Sequence, residues 1–125
     1  MKFEIELPLP PKELSPNARV HYYKKAKIVK ECRNLAYRLT IEMLKIYMIE
    51  PPKSKSSEIR RIFYFRTNTR RDADNWNIMT KHYIDGVVDA GLLYDDSTRE
   101  VTYLASEFNI DKKYPRLILI VEIKE

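Results

Sequence analysis

Alternating hydrophobic and polar residues mark both ends of the chain as β-strands. Phe3, Ile5 and Leu7 alternate with charged residues, which is the period of a strand with one buried face, and prolines follow directly. Near the other end, residues 116–123 are mostly β-branched and aliphatic, and the apolar run 117–121 predicts burial on both faces. The pattern therefore predicts a sheet that contains the first and the last segments of the chain.

Between these strands the hydrophobic period lengthens to three and four residues, as in an amphipathic helix. The spacing predicts a long helix over residues 20–47 and a second helix over residues 75–90, which Gly91 would end. The apolar positions of the first helix are Ile28, Val29, Cys32, Leu35, Ala36, Leu39 and Met43, and those of the second are Trp76, Met79, Tyr83 and Val87. Both helices would pack one apolar stripe against the sheet.

Two further segments have the composition of strands. Residues 59–66 are aromatic and β-branched, and residues 101–108 precede the last strand across a polar turn at 111–115. The predicted order is β-α-β-α-β-β, with no internal repeat and no linker long enough to divide the chain. We therefore expect one α/β (α+β) domain over residues 1–125, in which a mixed β-sheet is packed by two helices.

Composition and charge limit the function. A chain of 125 residues with 44% hydrophobic content is sufficient for one core. Its net charge of +5 and pI of about 9.3 favour an anionic partner, with nucleic acid the leading candidate. A P-loop is excluded because the chain has only two glycines. The single cysteine, Cys32, fits a reducing compartment, and no apolar run approaches a membrane span or a signal peptide, which predicts a cytoplasmic protein.

The candidate chemistry lies in residues 70–96, where acidic and basic side chains are concentrated. Asp72 and Asp74 stand where a strand gives way to a helix, and in extended backbone both carboxylates would point the same way and could share a cation. An aspartate at such a boundary more often caps the helix. Both interpretations stay open on the residues alone.

Further along, Lys81 and Asp85 are one helical turn apart, and with Asp74 they would follow one side of the predicted second helix. A solvated ion pair is the ordinary explanation for Lys81 and Asp85. Asp95 and Asp96 follow the helix, where a turn-forming role is the alternative to a chemical one. Carboxylates would hinder a protein that only bound DNA, so the complete acidic set favours catalysis.

Several of these residues recur in one family pattern. The chain contains Arg70-Arg71-Asp72-Ala73-Asp74-Asn75, then Lys81, Asp85 and Asp95-Asp96, and it opens with Leu7-Pro8-Leu9-Pro10-Pro11 and Ser15-Pro16-Asn17. In this pattern it resembles the RusA family of crossover-junction endodeoxyribonucleases over nearly its whole length. The chain departs from the commonest form of the family in one respect, because Lys81 follows Asp74 by seven residues and not by four.

The resemblance implies a metal-dependent, structure-selective endodeoxyribonuclease that resolves four-way (Holliday) DNA junctions by paired phosphodiester hydrolysis in recombination and repair. It implies Asp72, Asp74 and Asp96 as metal ligands for Mg²⁺, with Mn²⁺ as a substitute, and Lys81 as the catalytic lysine. Asp95 would be an alternative ligand or a partner that orients one. Paired cuts in a two-fold symmetric junction imply a homodimer. The competing hypotheses are an inactive protein that binds branched DNA and a nuclease that acts on flap or duplex DNA.

Basic and aromatic residues supply candidate DNA contacts. Arg66, Arg70 and Arg71 flank the carboxylates, and Arg19, Lys24 and Lys25 gather near the start of the first helix. Both groups could hold phosphates, although a solvated helix end explains the second group equally well. Among the aromatic residues, Tyr22, Tyr23 and Trp76 are candidates for stacking on unpaired bases, with packing in the core the commoner role for an aromatic residue on a helix.

Overall fold

The last strand of the chain lies in the middle of the sheet. The computed structural model describes residues 1–124. Its strands are β1 (Lys2–Leu7), β2 (Ser57–Phe65), β3 (Val101–Tyr103), β4 (Glu107–Ile110) and β5 (Arg116–Ile123). Its helices are a short 3-10 helix (Lys12–Leu14), α1 (Tyr22–Ile46), α2 (Ala73–Met79) and α3 (Lys81–Asp89).

The sheet is mixed, as predicted. Its order is β1-β5-β2-β3, and β4 pairs with β2 beyond the end of β3. β5 runs antiparallel to both of its neighbours, β1 and β2. β3 and β4 both run parallel to β2, so together they form one interrupted edge strand. The prediction of a single small α+β domain with a mixed sheet is confirmed.

One face of the sheet provides most of the core. Along β5 the buried residues alternate with half-buried ones, and along β1 they alternate with exposed ones. The buried residues include Phe3, Ile5, Leu7, Ile59, Phe63, Phe65, Leu117, Leu119 and Val121. Ile118 and Ile120 are only half-buried, so the prediction that 117–121 is buried on both faces is wrong. The strand is apolar on both faces although only one face enters the core.

Helices α1 and α3 approach each other closely at Gly86. A Cβ atom at Gly86 would lie 2.2 Å from the carbonyl oxygen of Arg33, so the missing side chain is what allows the two backbones to meet. The Arg33 guanidinium also donates to both carboxylate oxygens of Asp89, at 2.5 and 2.8 Å. These contacts fix the C-terminal half of α3 against α1.

The predicted second helix is two helices, which corrects the single helix expected over residues 75–90. Thr80 is fully buried, and its hydroxyl and backbone N–H both donate to the Asn77 carbonyl, at 2.7 and 3.2 Å. This tight turn ends α2, and α3 begins at the next residue. Gly91 follows α3 with φ of +85°, which confirms the predicted helix stop.

The other element boundaries differ in smaller ways. The segment predicted as one strand over 101–108 is interrupted at residues 104–106 and forms β3 and β4. Both pieces lie at the edge of the sheet, where an interruption costs no partner strand. Among residues 1–124 no helix is both long enough and apolar enough to cross a membrane.

Candidate active site

The first turn of α3 holds a lysine between two carboxylates. The Lys81 ammonium nitrogen lies 3.4 Å from Asp85 Oδ1 and 3.2 Å from Asp96 Oδ2. Asp85 lies one turn further along the helix, whereas Asp96 belongs to the loop after it. That loop is held in place because the Tyr103 hydroxyl donates to the Asp96 carbonyl oxygen, and the Asp96 N–H donates to Asp95 Oδ1 at 2.8 Å. The fold thus joins residues that are fifteen positions apart.

The charges of this cluster stabilise one another. Burial raises the pKa of Asp96, but the hydrogen bond and the charge of Lys81 outweigh it, so that the pKa is lowered overall. The hydrogen bond to Asp96 raises the pKa of Lys81. Both groups are therefore ionised at neutral pH. The two carboxylates and the one ammonium group together carry a net negative charge.

An arginine that sequence reasoning missed lines the same cavity. Arg61 lies on β2, and its guanidinium donates to Thr80 Oγ1 at 3.5 Å and lies over the Tyr103 ring. Its Nε is buried and has no hydrogen-bond partner within residues 1–124, and burial lowers the pKa of Arg61. The cavity has a volume of about 170 Å³ and is lined by Arg61, Asn77, Thr80, Lys81, Ile84, Asp96 and Tyr103. A buried donor without a partner is costly, so Arg61 is suited to an anionic ligand.

The sequence did contain a signal for Arg61. Ser57, Ile59, Phe63 and Phe65 are the buried residues of β2, and Arg61 occupies the one position of this alternation where a charge replaces a core residue. A lone arginine on the buried face of a strand is uncommon without a partner or a ligand.

Asp72 and Asp74 lie at the other end of the acidic segment. Asp72 is the N-cap of α2, and its Oδ1 accepts from the backbone N–H groups of Asp74 and Asn75 at 2.9 and 3.2 Å. Asp74 is in the first turn of α2, whereas Lys81 belongs to α3. The prediction that Asp74 shares one side of a continuous helix with Lys81 is therefore wrong, because the chain turns at residue 80.

The carboxylates do not assemble as the predicted set. Within residues 1–124 no three His, Cys, Asp or Glu side chains are grouped to hold a metal ion. Asp96 is brought close to Asp85 by Lys81, and it is not grouped with both Asp72 and Asp74. Mg²⁺ is usually bound by one or two carboxylates together with water and substrate phosphates. The donor chemistry of Asp85 and Asp96 fits that requirement.

The predicted basic residues line two adjoining grooves. Arg70 and Arg71 line a groove of about 320 Å³ beside Asp72, which we call the phosphate groove. Arg19 and Lys24 line a second groove, of about 450 Å³. Lys12 and Ser15 line both, so the two groups of basic residues belong to one continuous surface.

Two of the other predicted DNA contacts are also placed at the surface. Arg66 is exposed, and its guanidinium donates to the Lys112 carbonyl at 3.2 Å. Lys25 is exposed on α1 and lines neither groove. These two residues are accessible to a polyanion without being part of the continuous surface.

The aromatic candidates separate into two groups. Trp76 is half-buried and packs edge-on against Phe63 and Phe65, with ring centroids 6.0 and 4.8 Å away, so it belongs to the core. Tyr22 and Tyr23 are each 71% exposed and pack against each other at the start of α1. Of these three candidates, the two tyrosines are the ones exposed enough to stack on a base.

Comparison with known proteins gives a relative but no family. No family model matches the chain. The chain is similar to an uncharacterized protein of Xylella fastidiosa (strain Temecula1 / ATCC 700964), with 35% identity over 86 residues, or 69% of this chain. The match covers 56% of that protein, so the chain spans little more than half of its relative's length.

Proposed function

We propose that this chain is a metal-dependent, structure-selective endodeoxyribonuclease of the RusA type, which resolves four-way DNA junctions by paired hydrolysis of phosphodiesters. The observation that carries the proposal is the cavity in which Lys81, paired with Asp85 and Asp96, lies beside the partly unsatisfied guanidinium of Arg61. A cavity lined by a carboxylate, a lysine and an arginine suits a site that must hold a divalent metal and a phosphate together.

Each part of the site has a task in this proposal. Lys81 and Arg61 donate to the non-bridging oxygens of the scissile phosphate and stabilise the charge that develops on them. The phosphate groove and the groove beside it hold the neighbouring phosphates through Arg70, Arg71 and Arg19. These contacts would orient the strand and would not read its sequence.

The metal would be held by Asp96 together with Asp85, or by Asp72 and Asp74, two of the ligands that the family resemblance implies. When bound, Mg²⁺ or Mn²⁺ supplies an activated water and offsets charge on the phosphate. Lys81, which now pairs with Asp85 and Asp96, would then be available to the phosphate. A homodimer with two such sites would cut opposing strands of a junction.

We also propose a cytoplasmic location, which agrees with the free, buried Cys32.

One observation favours a second candidate, a protein that binds branched DNA without cutting it. Asp72 accepts hydrogen bonds from the α2 backbone, and Asp85 and Asp96 both pair with Lys81. Carboxylates with internal partners can be explained by stability alone. In this candidate the basic grooves bind DNA and the acidic residues only stabilise the fold.

Cleavage assays separate the two candidates. A labelled four-way junction, a matched linear duplex and a flap are each incubated with the protein in Mg²⁺, Mn²⁺ or EDTA. The proposal expects metal-dependent, symmetric paired cuts in the junction, lost in Asp72→Asn and Asp96→Asn. Asp111→Asn is the matched control, because Asp111 pairs with Arg116 in a turn outside the site. Tight junction binding with no cleavage in any metal would refute the nuclease and support the binding protein. Cuts in the flap or the duplex alone would show a nuclease whose substrate is not the four-way junction.

A further inference from the structure

A partly exposed phenylalanine extends the aromatic core to the edge of the sheet. Phe108 lies on the edge strand β4 and is 41% exposed. Its ring is nearly parallel to those of Phe63 and Phe65, with interplanar angles of 6° and 4° and centroid distances of 5.0 and 6.1 Å. Whereas Phe63 and Phe65 are buried, Phe108 presents part of its surface to solvent.

A cavity of about 260 Å³ opens beside this ring, and we call it the edge cavity. It is lined by Phe65, Asn68, Thr69, Arg71, Ala73, Phe108, Asn109 and Ile110. Its wall is apolar where the two phenylalanines and Ile110 lie and polar at Asn68 and Thr69. The side-chain amide of Asn68 has no hydrogen-bond partner within residues 1–124.

Arg71 joins the edge cavity to the phosphate groove. Its guanidinium lies 3.9 Å from the centre of the Phe65 ring and donates to the carbonyls of Thr67 and Thr69 at 2.8 and 2.9 Å. The same residue lines the phosphate groove, next to Asp72. Ala73, which follows Asp72, lines the edge cavity. The two cavities therefore meet at residues 71–73.

We propose that the edge cavity binds one unpaired nucleobase of the DNA while the adjoining phosphate groove holds the phosphate of the same strand. The base would stack on Phe108, because every base has a π-face that an aromatic ring can contact. The free amide of Asn68 would meet its polar edge, since an asparagine amide offers both a donor and an acceptor. This inference rests on the proposed function, because it requires DNA as the ligand.

The combination of features favours a nucleobase over a protein segment. A nucleobase can contact the Phe108 ring and hydrogen-bond the Asn68 amide together, whereas an apolar side chain can do only the first. The positive charge of Arg70 and Arg71 beside the cavity complements a phosphate attached to that base. The competing occupant is the edge of a second copy of this chain, since β4 has an unpaired edge.

The test measures affinity in EDTA, by fluorescence anisotropy, for three labelled junctions. One carries a single extra, unpaired adenine at the crossover, the second has an abasic site at the same position, and the third is fully paired. We expect the wild type to bind the junction with the unpaired base roughly 5- to 100-fold more tightly than the abasic one. Phe108→Ala should remove this preference while leaving affinity for the abasic junction unchanged.

Two further variants separate stacking from packing. Phe108→Leu keeps apolar volume but lacks the π-face, so it should fold and still lose most of the preference. Ile46→Ala replaces an exposed apolar residue at the end of α1, outside the edge cavity, and should keep the preference. Thermal unfolding of each variant shows whether it is folded, and Phe108→Leu decides the question if Phe108→Ala does not fold, because a preference that came from Tyr22 or Tyr23 would survive in Phe108→Leu.

The outcomes distinguish this inference from the function on which it rests. Equal affinity of the wild type for base and abasic junctions, with binding and cleavage otherwise intact, would overturn the base site alone. Self-association that is lost in Phe108→Ala, without any base preference, would assign the edge cavity to a second copy. Failure of the wild type to bind any of the three DNAs would overturn both proposals.

Discussion

The two ends of α3 carry the same kinds of charged residue in different arrangements. At the C-terminal end one arginine, Arg33, meets one carboxylate, Asp89, through two hydrogen bonds. At the N-terminal end one lysine is shared between Asp85 and Asp96 through single contacts of 3.4 and 3.2 Å. The first arrangement is satisfied within the protein, whereas the second retains excess negative charge and longer contacts. Matched charges hold helices together, and unmatched charges leave capacity for a ligand.

The largest expected effect concerns the N-terminal end. Lys81→Met should reduce cleavage of a four-way junction by roughly 10²- to 10³-fold, because it removes a donor to the charge that develops on the phosphate. Its free energy of unfolding should change by less than about 0.5 kcal/mol, since Lys81 is largely exposed. Single-turnover cleavage and urea denaturation measure the two quantities. Strong destabilisation of Lys81→Met would show that the charges at the N-terminal end of α3 also stabilise the fold.

At the other end of α3 we expect an effect on stability. Gly86→Ala should destabilise the protein by about 3 kcal/mol, because the new Cβ would collide with the Arg33 carbonyl oxygen on α1. This is opposite in sign to the usual gain from replacing glycine by alanine inside a helix. Urea denaturation gives the value, and Asn34→Ala, at an exposed position of α1, is the control. Unchanged or increased stability would contradict the close approach of α1 and α3.

The N-cap of α2 is an intermediate case, because Asp72 has a structural contact and a predicted catalytic task. Asp72→Ala should cost about 1 kcal/mol of stability through loss of the cap, whereas Asp72→Asn keeps a good cap and should cost almost nothing. Both variants should lose cleavage if the carboxylate charge is required. Thermal unfolding and junction cleavage on the same preparations check this. Full activity in Asp72→Asn would show that Asp72 acts only as the N-cap of α2.

The smallest expected effect is the pH dependence of the Arg33–Asp89 pair. The hydrogen bond from Arg33 lowers the pKa of Asp89 below its value in the unfolded chain. The pair therefore stabilises the fold above the unfolded pKa of about 4, and this contribution disappears as the pH falls through the lower folded pKa. Arg33→Gln should lose less stability than the wild type between pH 7 and pH 3 in urea titrations. Arg38→Gln, on an exposed position of α1, should behave like the wild type.

Much of the fold was predictable because the hydrophobic spacing that marks a strand or a helix lies within a short stretch of sequence. The alternation in β1 and the apolar β5 identified both strands, and helical spacing located α1 to within two residues at its start. The break at Thr80 was not predictable, because no proline or glycine marks it and a buried threonine gives no periodic signal. The order of the strands also depends on pairing between residues far apart, such as Phe3 with Val121.

The site was predictable in its residues but not in its grouping. Sequence reasoning selected Lys81 and Asp96, which the structure brings together, and it assigned Asp85 to an ordinary ion pair with Lys81, which is present. It could not foresee that Asp96 would share Lys81 with Asp85, since that contact depends on the loop after Gly91. Arg61 was missed because its role depends on a cavity formed by three separate segments.

The central position of β5 has a consequence for how the protein is made. β1 leaves the ribosome first, yet its only described partner strand is β5, which is synthesised last. Until then the apolar edges of β1 and β2 have no strand between them, and such edges are prone to aggregate. A chain cut short before residue 116 would therefore lack the strand that joins β1 to β2 and would yield no folded domain.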